Sequence, residues 1–236
     1  MINNLKVKVF ADGADLKSII KMSNDPFIQG FTTNPTLMRK DGVTDYKNFA
    51  KNILSFIQDK PVSFEVLSDN LEEIKIQAET ISNWGENVYV KIPIMNSLGH
   101  STLDVIKYLS SKRMKINVTA VFTIDQICKS VIALDKDVPS FISVFAGRIA
   151  DTGRDPIPVM KKALECIRVN SNIQLIWASP REVFNIVQAN QVGCHIITAS
   201  PELINKLNLL GKDLDEYSLD TVKMFRTDSI KSEFTI

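Results

Sequence analysis

Eight short runs rich in β-branched and aromatic residues alternate along this chain with longer amphipathic segments, and that alternation restricts the fold more than any other feature. The strand candidates are 7–11, 30–33, 62–67, 88–94, 115–121, 141–145, 173–178 and 194–198. Helical patterns fall at 46–58, 70–84, 101–110, 124–133, 156–169, 180–189 and 201–210. Asn70 followed by Glu73 reads as an N-cap with an acidic first turn, and Pro156, Pro180 and Pro201 stand where a first helical turn tolerates proline. A strict βα repeat with short connections predicts a parallel sheet closed into a single (β/α)8 TIM barrel over residues 1–236. An open doubly wound sheet is the alternative, but no GxGxxG turn follows the first strand, where a dinucleotide fold would want one. One more helix is expected at about 213–227, able to pack on the barrel or on a neighbouring subunit.

Side chains alternate faces along a strand, so parity separates barrel interior from helix-facing exterior. In VYVKIPI, Val88, Val90, Ile92 and Ile94 share the face that lies under the helices, which turns Lys91 inward. The same rule puts Asp12 on the face of Lys8 and Phe10, and Glu65 opposite Phe64 and Val66. Asn117 and Thr119 oppose Ile116, Val118 and Ala120, while Ser143 and Phe145 oppose Ile142, Val144 and Ala146. Thr32 and Asn34 share a face at the end of the second strand, and Ser179 shares one with Leu175 and Trp177. Most of these polar groups fall in the C-terminal half of a strand or just past it, the rim where barrel enzymes place their chemistry.

Loss of hydration favours the uncharged amine of a lysine, the nucleophile that imine formation needs. The plainer reading has Lys91 reaching the rim or pairing with Glu65. Glu65 and Asp12 are candidates for proton transfer, or structural carboxylates bonded to loop amides. Arg148 and Arg181 follow strands six and seven, where a guanidinium suits bidentate phosphate recognition; the plainer alternative is surface arginines on helix-start loops. Trp177 and Phe64 read as core, His100 and His195 as incidental, and the GRIADTGRD stretch as a charged loop that matches no nucleotide-binding spacing.

Composition closes other routes. A formal net charge of +1 gives no bulk attraction to nucleic acid or an anionic membrane. Cys128, Cys166 and Cys194 are odd in number and far apart, so neither a disulfide framework nor a zinc site is indicated. Two histidines leave a serine–histidine triad or a three-histidine metal site hard to build. The N-terminal MINNLKVKVFADG lacks an apolar targeting region, and no run approaches the roughly 18 apolar residues of a membrane span, so a cytoplasmic protein is expected.

The segments FADGAD, GFTTNPTLMRK, SFEVL, VYVKIPI, INVTAVFT, SVFAGRIADTG and IWASPREV resemble, in order, the strand-end motifs of the transaldolase family. The overall length is similar to its short subfamily, which includes fructose-6-phosphate aldolase-like proteins. The resemblance implies that Lys91 forms the Schiff base with a ketose phosphate. Asp12 would take the C4 hydroxyl proton during C3–C4 cleavage and return it on condensation. Glu65, with the Thr119 hydroxyl, would hold and activate water. Asn34 and Asn117 would hydrogen-bond the dihydroxyacetone part with Thr33 and Ser179 nearby, Ser143 and Phe145 would line the site, and Arg148 and Arg181 would bind phosphate. No cofactor or metal is implied, because the protonated imine is the electron sink. The partners implied are sugar phosphates and further copies of the chain in a homo-oligomer.

Fructose-6-phosphate aldolases are expected to have glutamine at Glu65 and tyrosine at Phe145, so both positions resemble the transferring members. Transfer of a dihydroxyacetone unit is therefore the expected activity, with an aldolase releasing free dihydroxyacetone as the alternative. Two local departures are FADGAD in place of the more usual DT or DS pair, and Pro180 where many relatives carry phenylalanine. A non-catalytic sugar-phosphate-binding barrel is a third reading, and a nucleotide-binding or oxidoreductase barrel lacks a supporting motif.

Overall fold

The computed structural model describes residues 5–232, so the first four residues of the N-terminal stretch read above lie outside the described residues. Eight parallel strands close in chain order into a barrel: β1 (Lys8–Asp12), β2 (Ile28–Thr32), β3 (Val62–Glu65), β4 (Val88–Pro93), β5 (Ile116–Val121), β6 (Ser140–Val144), β7 (Ile173–Trp177) and β8 (Ile196–Ala199). The (β/α)8 expectation holds, and each strand lies within a residue or two of its predicted place. Outside the sheet run α1 (Leu16–Ser23), α2 (Pro35–Lys40), α3 (Tyr46–Phe56), α4 (Leu71–Ser82), α5 (Leu103–Ser111), α6 (Ile124–Ala133), α7 (Ala146–Asp151), α8 (Ile157–Ile167), α9 (Phe184–Val192), α10 (Pro201–Asn205) and α11 (Leu214–Ser232).

The barrel interior is built in layers. Phe10, Tyr89, Phe141, Ile176 and Ile196 pack together inside it, with Tyr89 stacked on Phe141 at 4.0 Å and Phe10 edge-on to Phe141 at 5.8 Å. On each of these strands the next inward residue is two positions on. That step leads from Phe10 to Asp12, from Tyr89 to Lys91, from Phe141 to Ser143 and from Ile196 to Thr198. The apolar layer is thus a floor, and the polar layer stands directly above it. Gly30 on β2 makes room for the floor: a Cβ there would sit 2.5 Å from the Phe10 ring. Register fixes the neighbours across strands, pairing Glu65 with Lys91 and Lys91 with Asn117.

Several details depart from the sequence reading. Leu175 and Trp177 pack outward under the helices, while Ile176 and Ala178 face in, so parity does not carry Ser179 inward. Ser179 reaches the cavity because its backbone turns into the left-handed region at φ 60. Pro180 does not start a helix: α9 begins at Phe184, since the Asn185 side chain accepts from the Arg181 and Glu182 amides and holds the preceding turn outside it. The GRIADTGRD stretch is a loop only in part, because its start lies within α7. Cys128 of α6 and Cys166 of α8 are joined in a disulfide, with Cα atoms 5.7 Å apart. Their separation in sequence hid the pairing, which depends on two outer helices packing side by side.

The C-terminal helix extends to Ser232, further than expected, and buries none of its residues. Among the described residues no helix is long and apolar enough to cross a membrane.

Candidate active site

A cavity of about 500 Å³ opens at the C-terminal ends of the strands. Every predicted site residue lines it except Thr33 and Asn117. Lys91 stands on its floor, only 6% exposed. Its Nζ lies 3.0 Å from Glu65 Oε2 and donates to the Thr33 carbonyl at 3.0 Å. The pairing with Glu65 that sequence alone left open is therefore present. It forms between two residues in direct register.

Thr33 serves this site through its backbone. Its hydroxyl donates to the Ser63 carbonyl at 3.0 Å, which turns the side chain away from the cavity. Asn117 is wholly buried behind the lining, its amide nitrogen donating to Ser63 Oγ at 3.0 Å and its oxygen accepting from Ser143 Oγ at 2.8 Å. It orients Ser143 rather than facing the opening. Asn34 is the N-cap of α2, where its side-chain oxygen accepts from the Leu37 amide at 3.0 Å. That bond fixes the amide group by its oxygen and leaves the NH2 donors for a ligand.

Asp12 accepts from Thr32 Oγ1 at 2.7 Å. Burial raises its pKa above the ordinary carboxylate value; the Lys91 charge and the Thr32 bond act in the opposite direction. Thr32 Oγ1 also lies 2.6 Å from Thr198 Oγ1. Both threonines line the cavity and neither was among the predicted site residues. The parity rule could have found Thr198, since it shares the inward face with Ile196. Thr119 presents a buried hydroxyl that makes no hydrogen bond within the protein, an orphan that a bound water or substrate hydroxyl can satisfy. Beside it Ala120 takes a positive φ of 55, where the pairing of β5 with β6 slips in register.

The arginines stand at the rim. Arg148 holds its guanidinium over the Phe145 ring at 5.1 Å. Arg181 pairs with Asp151 in a forked contact that includes Nε to Oδ1 at 3.0 Å. Gly147 lets α7 approach the turn after β7, its amide donating to the Ala178 carbonyl. The two histidines lie away from the cavity, and His195 accepts from the Leu175 amide. Among the described residues no group of three or more His, Cys, Asp or Glu side chains is placed to hold a metal ion.

Fold and cavity together define a (β/α)8 barrel with a lysine-centred polar site at its strand ends and cationic groups at the mouth. The sequence profile of the Transaldolase/Fructose-6-phosphate aldolase family matches residues 9–236. A protein of Clostridioides difficile described as a probable transaldolase is 32% identical over 218 residues, covering 91% of this chain and 96% of that one. Proteins with the same description in Dehalococcoides mccartyi and Sulfurihydrogenibium sp. are 30% and 34% identical. Each alignment covers 85% of this chain, with 90% and 88% of the respective relative. The chain belongs to the transaldolase/fructose-6-phosphate aldolase family.

Proposed function

We propose that this chain is a transaldolase that moves a dihydroxyacetone unit between sugar phosphates through a Schiff base on Lys91. The observation that carries the reading is a buried lysine held between a carboxylate and a backbone carbonyl on the floor of a polar cavity. Glu65 Oε2, 3.0 Å away, is placed to take the Nζ proton as the amine attacks the C2 carbonyl of a ketose phosphate. Loss of water leaves a protonated imine. Asp12 then takes the C4 hydroxyl proton, and the C3–C4 bonding pair moves into a C2–C3 double bond as the imine π pair returns to nitrogen. The aldose phosphate leaves, and the enamine stays attached to Lys91.

The reverse sequence on an acceptor aldehyde returns the proton from Asp12 and makes the new ketose. Water held by Glu65 and the Thr119 hydroxyl hydrolyses the imine. Ser143, fixed by Asn117, and the Asn34 amide supply hydrogen bonds to the hydroxyls of the three-carbon unit. Arg148 and Arg181 take the phosphate at the mouth, with Asp151 aligning Arg181 for it.

Retention of the enamine separates transfer from simple cleavage. With fructose 6-phosphate alone, little glyceraldehyde 3-phosphate should be freed; adding an acceptor aldose phosphate should raise its release at least tenfold. Equal release with and without acceptor assigns the aldolase reading instead.

The same reading includes a homo-oligomer in which α11 is a contact. Leu214, Tyr217, Leu219, Val222, Met224, Phe225 and Ile230 are large apolar residues exposed on it, more than an isolated surface helix needs. It also includes a cytoplasmic location, because phosphorylated sugars are charged and do not cross a bilayer unaided.

A further inference from the structure

We infer that Thr198 is a positioning residue for Asp12, acting through the Thr32 hydroxyl to fix how the carboxyl is held during proton transfer. The inference rests on the reading of Asp12 as the group that takes and returns the substrate proton.

Three adjacent strands supply the parts: Asp12 ends β1, Thr32 ends β2 and Thr198 lies on β8. Both threonines are buried, at 2% and 5% exposure. A hydroxyl carries one proton. Thr32 directs its proton to Asp12 Oδ1 at 2.7 Å, so its 2.6 Å contact with Thr198 is a hydrogen bond only if Thr198 is the donor. The chain therefore runs from Thr198 to Thr32 to the carboxylate. Each bond polarises the next, and the last one is charge-assisted.

Once Asp12 has taken a proton, the same three oxygens can reverse direction. Asp12 donates to Thr32, and Thr32 donates to Thr198. Both protonation states then keep partners with no heavy atom displaced, which suits a group that must take a proton in cleavage and return it in condensation. Removing the Thr198 hydroxyl deprives the ionised state of its polarising donor and the protonated state of its terminal acceptor.

The charged groups acting on Asp12 are Lys91 from β4 and Glu65 from β3, while β2 and β8 contribute hydroxyls. Asp15, Lys40, Asp41 and Glu202 share a small rim cavity with it. None of these is altered by a change at position 198. Burial already favours protonated Asp12 and the Thr32 bond opposes that, so weakening the bond moves titration further toward higher pH.

Thr198→Val keeps the shape and removes the hydroxyl, Thr198→Ser keeps the hydroxyl, and Thr198→Ala serves where valine is not accommodated. Titration of Asp12, followed by carboxyl infrared difference spectra assigned with Asp12→Asn, should move to higher pH in the valine and alanine variants and return in the serine variant. Cleavage kcat should fall about tenfold in the valine variant, with the acid limb of its pH profile moved the same way, while KM stays within about twofold. An Asp12 titration that is the same in wild type and Thr198→Val overturns the inference whatever the activity does. An equal loss in Thr198→Ser overturns it too, by showing that packing rather than the hydroxyl matters. A titration that moves while Asp12→Asn retains full cleavage refutes instead the role of Asp12 on which the inference stands.

Discussion

Gly147→Ala tests whether the close approach of α7 to the turn after β7 is what places the proposed phosphate-binding corner. A Cβ at Gly147 would lie 1.6 Å from the Ser179 carbonyl oxygen and 2.6 Å from its carbon. Ordinary contact begins at 3.4 Å, so the two backbones must separate by about 2 Å. Neither side yields cheaply. Ser179 is held at φ 60, a region costly for a residue with a side chain, and Ala146 and Ile149 of α7 are buried in the outer core. Overpacking of this kind costs about 1–3 kcal/mol of stability.

The functional loss should fall mainly on phosphate recognition, because Arg148 is the next residue and Ser179 and Arg181 flank the turn. A charge-assisted hydrogen bond contributes roughly 1.5–3 kcal/mol. Arg181 is about half exposed, with 49% side-chain accessibility, and that discounts the figure toward its lower end. The expected outcome is a fall of about tenfold in kcat/KM for fructose 6-phosphate. Much less change is expected with unphosphorylated fructose, which offers no phosphate to Arg148 and Arg181. Steady-state kinetics on the two substrates, with thermal unfolding alongside, provide the measurement. Equal losses on both sugars would show that the glycine governs the reacting centre rather than the phosphate corner. Unchanged kinetics and stability would refute the steric argument itself.

Asp12→Asn should stabilise the protein at neutral pH. Burial raises the folded pKa of Asp12, so its proton is bound more tightly when folded and wild type loses stability as pH rises from the ordinary value of 3.8 through the folded value. The variant's advantage in urea unfolding should widen over that window and vanish below it; a constant gap would contradict the burial argument. Glu65→Gln, which keeps size and removes the carboxylate beside Lys91, should slow imine formation by about 10²-fold or more in single-turnover mixing. Wild-type rates would remove Glu65 from the proposed mechanism.

The barrel was legible because parallel strands covered on one face and lining a closed interior on the other write their parity into the chain. Lys91 among Val88, Val90 and Ile92 is the clearest case, and the apolar floor of Phe10, Tyr89 and Phe141 obeys the same step of two. Parity misled at β7, where both faces are apolar and Leu175, Ile176 and Trp177 give no contrast. Ser179 enters the cavity through a backbone turn that periodicity does not encode. Thr33 and Asn117 show a different limit: the family resemblance named both as site candidates and parity also turned Asn117 inward, yet the Thr33 hydroxyl and the Asn117 amide are taken up by Ser63 and Ser143. Those partners come from other strands, and only register brings them together. The Cys128–Cys166 link and the Thr32–Thr198 contact have the same origin, in elements distant along the chain and adjacent in space.

Borohydride reduction in the presence of fructose 6-phosphate tests the central claim most directly. Peptide mapping should find the sugar-derived adduct on Lys91, and Lys91→Met, folded as judged by its far-ultraviolet circular dichroism, should take up none. An adduct on another lysine, or equal trapping in Lys91→Met, would contradict the account of this site.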